Sequence, residues 1–580
     1  MESKPSKWEE TPDRKIQVEP MLESRRSGGF VPNLFASYAS TYSSQAFCRE
    51  VGFQDGALVT EQKLAWFLQS HVLNRDIRPS RYTRNRRTEE AVIRQTLGKS
   101  AVLGYVSAII DLWSFQRTSG HNPHPHPRGE AIKALLRGRA RQEHQRRREQ
   151  YVDRAAGTIL DGYDLEKIGT IVRRCWEAPL NLKRRNNSIE SYFRTALDFL
   201  MGHNLLLRGE ARRTAALPDL FTIPLSNEGP TPCDALVLIM DNGKTNSVGR
   251  LEYAAATRHK DPLFCTLSHL AFYLFWRWDV MKQETPRFQQ RQQWYDSHLL
   301  RGDSTTKEIS YATQLDWTNN VFKAVGLSSY KKTHAGRAEG AKAAELAGVS
   351  EGQIRRAGRW NSDALSSCYL THLTREFIRS MAGFAPQQQG NYYLPRARIN
   401  PPPSLVQAVW PWVDAWLDWL TSYEREGYDQ EQDQQRSRRA DIPGFDLEED
   451  VDEDRDDLAA KGFLRLLVCL RIIILQDSVI MRKHFPSHPM WNSSVFLRED
   501  YKNFAREVEV ALDDTEEPEE VRIRTAIPLV ADRLTTMQQT LSHSIEDWGL
   551  RNERRMQTLG DRLDDLFLGR TTLSVRINGT

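Results

Sequence analysis

The stretch LSHLAFYLFWRW, residues 267 to 278, puts apolar side chains on nearly every face of a helix. Such a helix is stable only where other elements cover it all round, so it predicts a buried helix at the centre of a packed domain. His269 within it reads as a hydrogen-bonded core residue, not a ligand. Shortly before, DALVLIMDNGKTNSVGRLEYAAATRH at 234 to 259 has two β-prone runs around a turn rich in Asn, Gly, Lys and Ser, which predicts a hairpin. The expected fold is therefore mainly α with a small antiparallel sheet.

A chain of 580 residues exceeds one core and implies three or four domains. Residues 1–60, rich in Ser, Pro, Gly and charge, read as largely disordered. Residues 61–180 read as a helical domain. Within it Ile93, Leu97, Ala101, Tyr105, Ile109 and Leu112 recur at helical spacing, and AIKALLRGRARQEHQRRREQ at 131–150 predicts a helix with a heavily basic face. Between them HNPHPHP at 121–127 reads as an exposed loop and not a metal site, since its His and Pro alternate. A domain over 181–385 holds the buried helix and the hairpin. At 386–430 a Trp-rich helix carries Trp412, Trp416 and Trp419 on one face, a core stripe with docking onto another subunit as the second reading. An acidic linker at 431–460 leads to a helical region at 461–580, where Val530, Leu534, Met537, Leu541, Trp548, Leu559, Leu563 and Leu566 approximate a seam broken near Gly549. That seam fits a short coiled coil or a helical hairpin equally.

Net charge is only +4, but residues 71–150 hold 17 Lys and Arg against 7 Asp and Glu, while 441–458 hold ten acids and one Arg. A basic block beside a globular region fits a polyanionic partner. The six cysteines have no paired spacing, which argues against a disulfide framework or a zinc module. The most apolar run, FLRLLVCLRIIIL at 463–475, is too short to span a bilayer and is interrupted by Arg465 and Arg471. The polar N-terminus is unlike a signal peptide.

Two fragments carry the chemistry: KKTHAGR at 331–337 and GRWNSDALSSCYL at 358–370. Metal-free phosphodiester cleavage needs a nucleophile, cations for the non-bridging oxygens and an acid for the departing 5′ oxygen. Arg suits the grip through its planar fork, Lys the acid, and Tyr a nucleophile whose link to DNA is reversible. His334 and Arg337 lie three apart, so on one helical turn they are expected to face the same way. AKAAELAGVS then reads as a helix closed by Gly348, and NSDALSSCYL as one capped by Asn361 or Ser362.

The whole block THAGRAEGAKAAELAGVSEGQIRRAGRWNSDALSSCYL resembles the second motif of the tyrosine recombinases: H-x-x-R, a Gly-Val turn, and a His-or-Trp position nine residues before the nucleophilic Tyr. It is similar to the fungal Crypton transposon recombinases and to the related centromere-binding factor of the budding-yeast kinetochore. The resemblance covers about 180–385, is weaker over 88–180 and is absent beyond 430. It implies two upstream partners, Arg208 in NLLLRGEARR and Lys244 in DNGKTNSVGR, completing a set of Arg208, Lys244, His334, Arg337, Trp360 and Tyr369. Two departures stand out. Glu210 lies two positions after Arg208 instead of three, and Arg359 separates Gly358 from Trp360.

Carried over, the resemblance implies that Tyr369 attacks the scissile phosphate to form a 3′-phosphotyrosyl link. Arg208, Arg337 and Trp360 hold its oxygens, Lys244 protonates the leaving 5′ oxygen, and His334 assists proton transfer or orients the phosphate. No metal, ATP or other cofactor is implied. Double-stranded DNA is the expected partner, gripped partly by Arg137, Arg139, Arg141, Arg146, Arg147 and Arg148, with the protein a dimer or tetramer on recombination sites in the nucleus. The competing expectation is a DNA-binding protein of the same fold without chemistry, as in the kinetochore factor. A type IB topoisomerase is a third reading.

Overall fold

Helices Leu34–Val51 (α1), Glu61–Phe67 (α2), Lys99–Thr118 (α3) and Glu130–Glu149 (α4) build the first of two units, 1–156 and 157–580, into which the chain divides. The computed structural model describes residues 34–75, 96–149, 153–155, 158, 160–177, 189–241, 249–360, 373–425, 442, 457–513, 518–519, 521 and 528–568. In the first unit Thr60 caps α2 by accepting from the Lys63 amide, the usual service of a hydroxyl at a helix start. The core joins Phe47, Leu64, Phe67, Val102, Val106, Ile109, Leu112, Ile132 and Leu136. The segment expected to be loosely attached thus supplies α1 and, through Phe47, Cys48 and Val59, part of this core. The His/Pro stretch is a loop, stitched down where the Asn122 amide donates to Val59 O and to Gln116 Oε1.

The second unit opens with Leu165–Trp176 (α5), Ile189–Asn204 (α6) and the short Gly209–Thr214 (α7). A sheet follows, formed by Leu220–Pro224 (β1), Asp234–Met240 (β2) and Glu252–Ala256 (β3), antiparallel in the order β1-β2-β3. The register pairs Leu220 with Leu238 and Leu236 with Ala256. The hairpin is β2–β3; the first strand, LFTIP, is too short and too weakly alternating to be read from sequence.

Thr266–Phe275 (α8) is buried along its whole length, as its apolar circumference demands. His269 is satisfied inside it, accepting from Trp176 Nε1 at 3.0 Å while its Nδ1 meets Cys265 O. Helix α8 packs against α6 and against Leu458–His484 (α14); the other helices of the unit are Tyr311–Ala324 (α9), Ala335–Leu346 (α10), Glu351–Ala357 (α11), Arg375–Met381 (α12), Trp412–Arg425 (α13) and Glu499–Asp513 (α15).

The Trp-rich helix and α14 belong to this body. Trp412 and Trp416 are buried in the main core, so the stripe is core and not a docking face. The apolar run at 463–475 lies in α14, which packs against β1, α8 and α13. Arg471, which interrupts that run, is buried and pairs with Asp414 at 2.8 Å. Asp477, fully buried on the same helix, accepts from Arg258 Nη2 at 2.6 Å, Arg396 Nε at 2.5 Å and the Ser268 hydroxyl. Burial alone would raise its carboxyl, but the two guanidiniums hold it below the usual carboxylate range. A buried carboxylate facing two cations in this way locks the C-terminal half to the sheet.

Pro528–Phe567 (α16) is one continuous helix of 40 residues that runs through Gly549, which removes the hairpin reading. Its Met537, Leu541, Ile545, Trp548, Met556 and Leu559 are exposed. Among the described residues no helix is long and apolar enough to cross a membrane.

Candidate phosphate-binding site

The site begins where α6 ends. After Asn204 the buried residues Leu205, Leu206 and Leu207 turn the chain, with Leu206 at φ 49°. Arg208 follows in extended conformation as the N-cap of α7 and is half-buried. Four residues on, the buried Arg212 pairs with Asp198 on α6 at 2.7 Å and donates to Leu207 O and Thr333 O. Arg212 therefore clamps the segment before Arg208 to the turn that leads into H-x-x-R.

That turn, Lys332–His334, runs into α10, which crosses α6 at close range. The crossing is made by glycine. A Cβ on Gly336 would lie 3.0 Å from the Gly202 carbonyl carbon, and one on Gly340 would run into the His203 carbonyl oxygen. Small residues at i and i+4 let the helix backbones approach and set the height of Arg337 above Leu206. His334 faces solvent one turn before Arg337, which is only 7% exposed.

Arg337 Nη1 donates to Leu206 O at 2.6 Å and Nη2 to Gly358 O, and its guanidinium lies 4.8 Å from the Trp360 ring centre, a cation–π contact. Trp360 is 44% exposed, and its ring covers Gly358 so closely that a Cβ there would collide with the indole. Arg359 is half-buried and donates from Nη2 to Leu205 O at 3.0 Å and Leu206 O at 2.7 Å. Among the described residues neither Arg337 nor Arg359 has a carboxylate within 4.0 Å.

Burial, then the neighbouring Arg359 and Arg208, pushes the Arg337 guanidinium down to about 9, with Glu252 opposing. Burial likewise pushes Arg359 down to about 10, Glu252 again opposing and Arg208 adding to the depression. Both remain cations near neutral pH. The result is a pocket of positive charge that a phosphate would relieve.

Of the six residues expected at the site, Arg337 and Trp360 are in contact and Arg208 is close enough to act on Arg337 electrostatically. His334 is placed one helical turn from Arg337. Lys244 and Tyr369 lie outside the described residues. The described edge of the Lys244 hairpin, Glu252 at the start of β3, is near enough to act on both Arg337 and Arg359. Glu210 is half-buried on α7. The sequence reading missed Arg212, whose role rests on a long-range pair with Asp198 that no local spacing reveals.

On α4 of the first unit, Arg137, Arg141 and Arg148 are exposed, and their spacing of four and seven puts them on one face. Arg137 pairs with Glu130 at 2.9 Å. Arg139 is turned to the protein, donating to Leu97 O at 2.6 Å and Thr96 Oγ1 at 3.1 Å. The side chains of Arg146 and Arg147 lie outside the described residues.

Comparison with known proteins adds the following. The solved structure of Ndc10, described as a platform for inner kinetochore assembly in budding yeast, matches at 11% identity and a TM-score of 0.33, covering 86% of this chain and 98% of that one. The XerH site-specific recombinase on a palindromic difH substrate matches at 12% identity and 0.35, covering 61% and 79%. A Flpe mutant bound to a Holliday junction matches at 12% identity and 0.29, covering 64% and 83%. No curated protein matches in sequence. The superpositions are loose, and it is the family model that places the chain: residues 116–502 match the centromere DNA-binding protein complex CBF3 subunit, domain 2, and the chain belongs to that family.

Proposed function

We propose that the protein binds double-stranded DNA with a backbone phosphate seated on Arg208 and Arg337, and that it is a DNA strand transferase of the tyrosine-recombinase type. The observation that carries the reading is the convergence of the Arg337 and Arg359 guanidiniums on the Leu206 carbonyl, with no carboxylate within 4.0 Å of either among the described residues. A buried cation without an acid partner is costly, and a bound phosphodiester is the ligand that removes the cost. In this reading the Tyr369 oxygen attacks phosphorus, the bond from phosphorus to the 5′ oxygen breaks, and Lys244 gives that oxygen its proton. The link is reversed when a 5′ hydroxyl attacks the phosphotyrosine and Tyr369 leaves. Trp360 donates its indole N–H to a non-bridging oxygen, and His334 serves proton transfer at the Tyr.

The exposed arginines of α4 add sequence-independent phosphate contacts, the protein acts as a dimer or tetramer on DNA, and the nucleus is where its substrate lies. A second reading, DNA binding without chemistry, is favoured by the family match to a centromere DNA-binding complex.

The test is selection of bound duplexes from a random library, followed by affinity measurements with wild type and Arg337→Gln. Loss of about tenfold or more for the variant supports the phosphate seat; equal affinity for both rejects it.

A further inference from the structure

Helix α11 ends in a particular way. The Trp360 amide donates to Arg355 O and the Arg359 amide to Arg356 O, both at 2.9 Å, the paired bonds of a Schellman cap. In that motif the residue after the cap adopts a left-handed conformation and is usually glycine. Here that residue is Arg359, at φ 54°, while the glycine stands one position earlier as Gly358. A side chain in the left-handed region is strained, so this position holds an arginine against the local backbone preference.

What the strain achieves is visible in the contacts. The left-handed turn sends the Arg359 side chain back to the end of α6, where Nη2 bonds Leu205 O and Leu206 O. Its other terminal nitrogen, Nη1, is buried and has no hydrogen-bond partner among the described residues. An orphaned donor on a cation beside Arg337 is a group waiting for an acceptor, and the acceptor that fits two adjacent guanidiniums is an anion with several oxygens.

We propose that Arg359 is a further phosphate-binding residue, its Nη1 donating to a non-bridging oxygen of the DNA phosphate held by Arg208 and Arg337. This rests on the phosphate seat proposed above and adds a third fork to it. The inserted arginine between glycine and tryptophan, which the family resemblance leaves without a role, then has one: it strengthens the grip on the same phosphate or the one adjoining it.

The experiment compares DNA affinity, its salt dependence and thermal melting for wild type, Arg359→Gly, Arg359→Gln and Arg337→Gln, on duplexes selected with the wild type. Arg359→Gly relieves the left-handed strain and should melt near the wild-type temperature, yet bind about tenfold or more weakly. Its log–log salt slope should be shallower by about 0.9, the loss of one phosphate contact. Should the glycine variant melt early, Arg359→Gln, which removes the guanidinium and keeps a side chain at the left-handed position, gives the same comparison. If both Arg359 variants bind with wild-type affinity and slope while Arg337→Gln loses binding, the role assigned to Arg359 is wrong and the seat stands. If Arg337→Gln also binds as wild type, the seat itself is wrong and the inference falls with it.

Discussion

Arg337 and Arg359 donate to one acceptor, the Leu206 carbonyl, at 2.6 and 2.7 Å, two residues before Arg208. Their side chains come from opposite ends of the α10–α11 pair, so the shared carbonyl fixes both relative to the third arginine. One neutral oxygen cannot neutralise two guanidiniums, and the proposed phosphate would supply the charge it lacks.

The electrostatics give a pH dependence. Arg337 is pushed down to about 9, so it stays charged through neutral pH and loses its proton as pH rises past 9. Phosphate binds the protonated form, so affinity for DNA should be level from pH 7 to 8 and fall between 9 and 10. Arg337→Gln should show a smaller fall over that range. Fluorescence anisotropy across the series checks this, and equal falls for the two proteins would count against a role for Arg337.

The glycine crossing predicts a stability and binding effect together. Gly340→Ala places a methyl against the His203 carbonyl, forcing α10 away from α6. Overpacking of this kind costs about 1–3 kcal/mol. Because Arg337 rides on α10, DNA affinity should fall as well. Urea unfolding and anisotropy on the same sample would reveal a variant with unchanged stability and binding, which would refute the crossing as the determinant.

Asp477→Asn removes the carboxylate that pairs with both Arg258 and Arg396 in the core, a loss worth about 3–5 kcal/mol. Chemical denaturation should show the midpoint drop, with the whole second unit losing cooperativity at once. A variant within about 0.5 kcal/mol of wild type would mean that the C-terminal half is not locked to the sheet through this residue.

Four histidines, His203, His259, His269 and His488, are pushed down from 6.5 to about 4, burial being the main cause. Below pH 6.5 the unfolded chain takes up protons that the folded one refuses, so stability is lost as pH falls from about 6.5 towards 4. At pH 5 each contributes about 2 kcal/mol of that loss. The melting temperature should drop steeply between pH 7 and 5, and a flat profile would contradict the burial of these rings as neutral groups.

Much of this was legible beforehand, for physical reasons that differ by residue. The helix at 267–278 could be read because its apolar side chains leave no face for water. Trp416 in the core could be read from a stripe at helical spacing, whereas His334, expected to face the same way as Arg337, ends the turn before α10 and is exposed while Arg337 is buried. Trp416→Glu should accordingly fail to fold, since the ring is fully buried. The place of 458–513 in the main body was not legible, because it depends on Asp477 meeting arginines more than 80 residues away along the chain. Nor was the cap at Arg359: glycine is the residue that announces a left-handed turn, and here an arginine occupies it.

The measurement that bears most directly on the proposed activity is covalent capture on a nicked duplex that carries the selected site. Wild type and Tyr369→Phe would be incubated with labelled DNA and resolved on a denaturing gel. The account predicts a protein–DNA band for wild type that is absent for the Phe variant, with duplex affinity unchanged between them. Tight, salt-sensitive binding by both with no covalent band from either would contradict strand transfer and leave a DNA-binding protein built on the same arginine site.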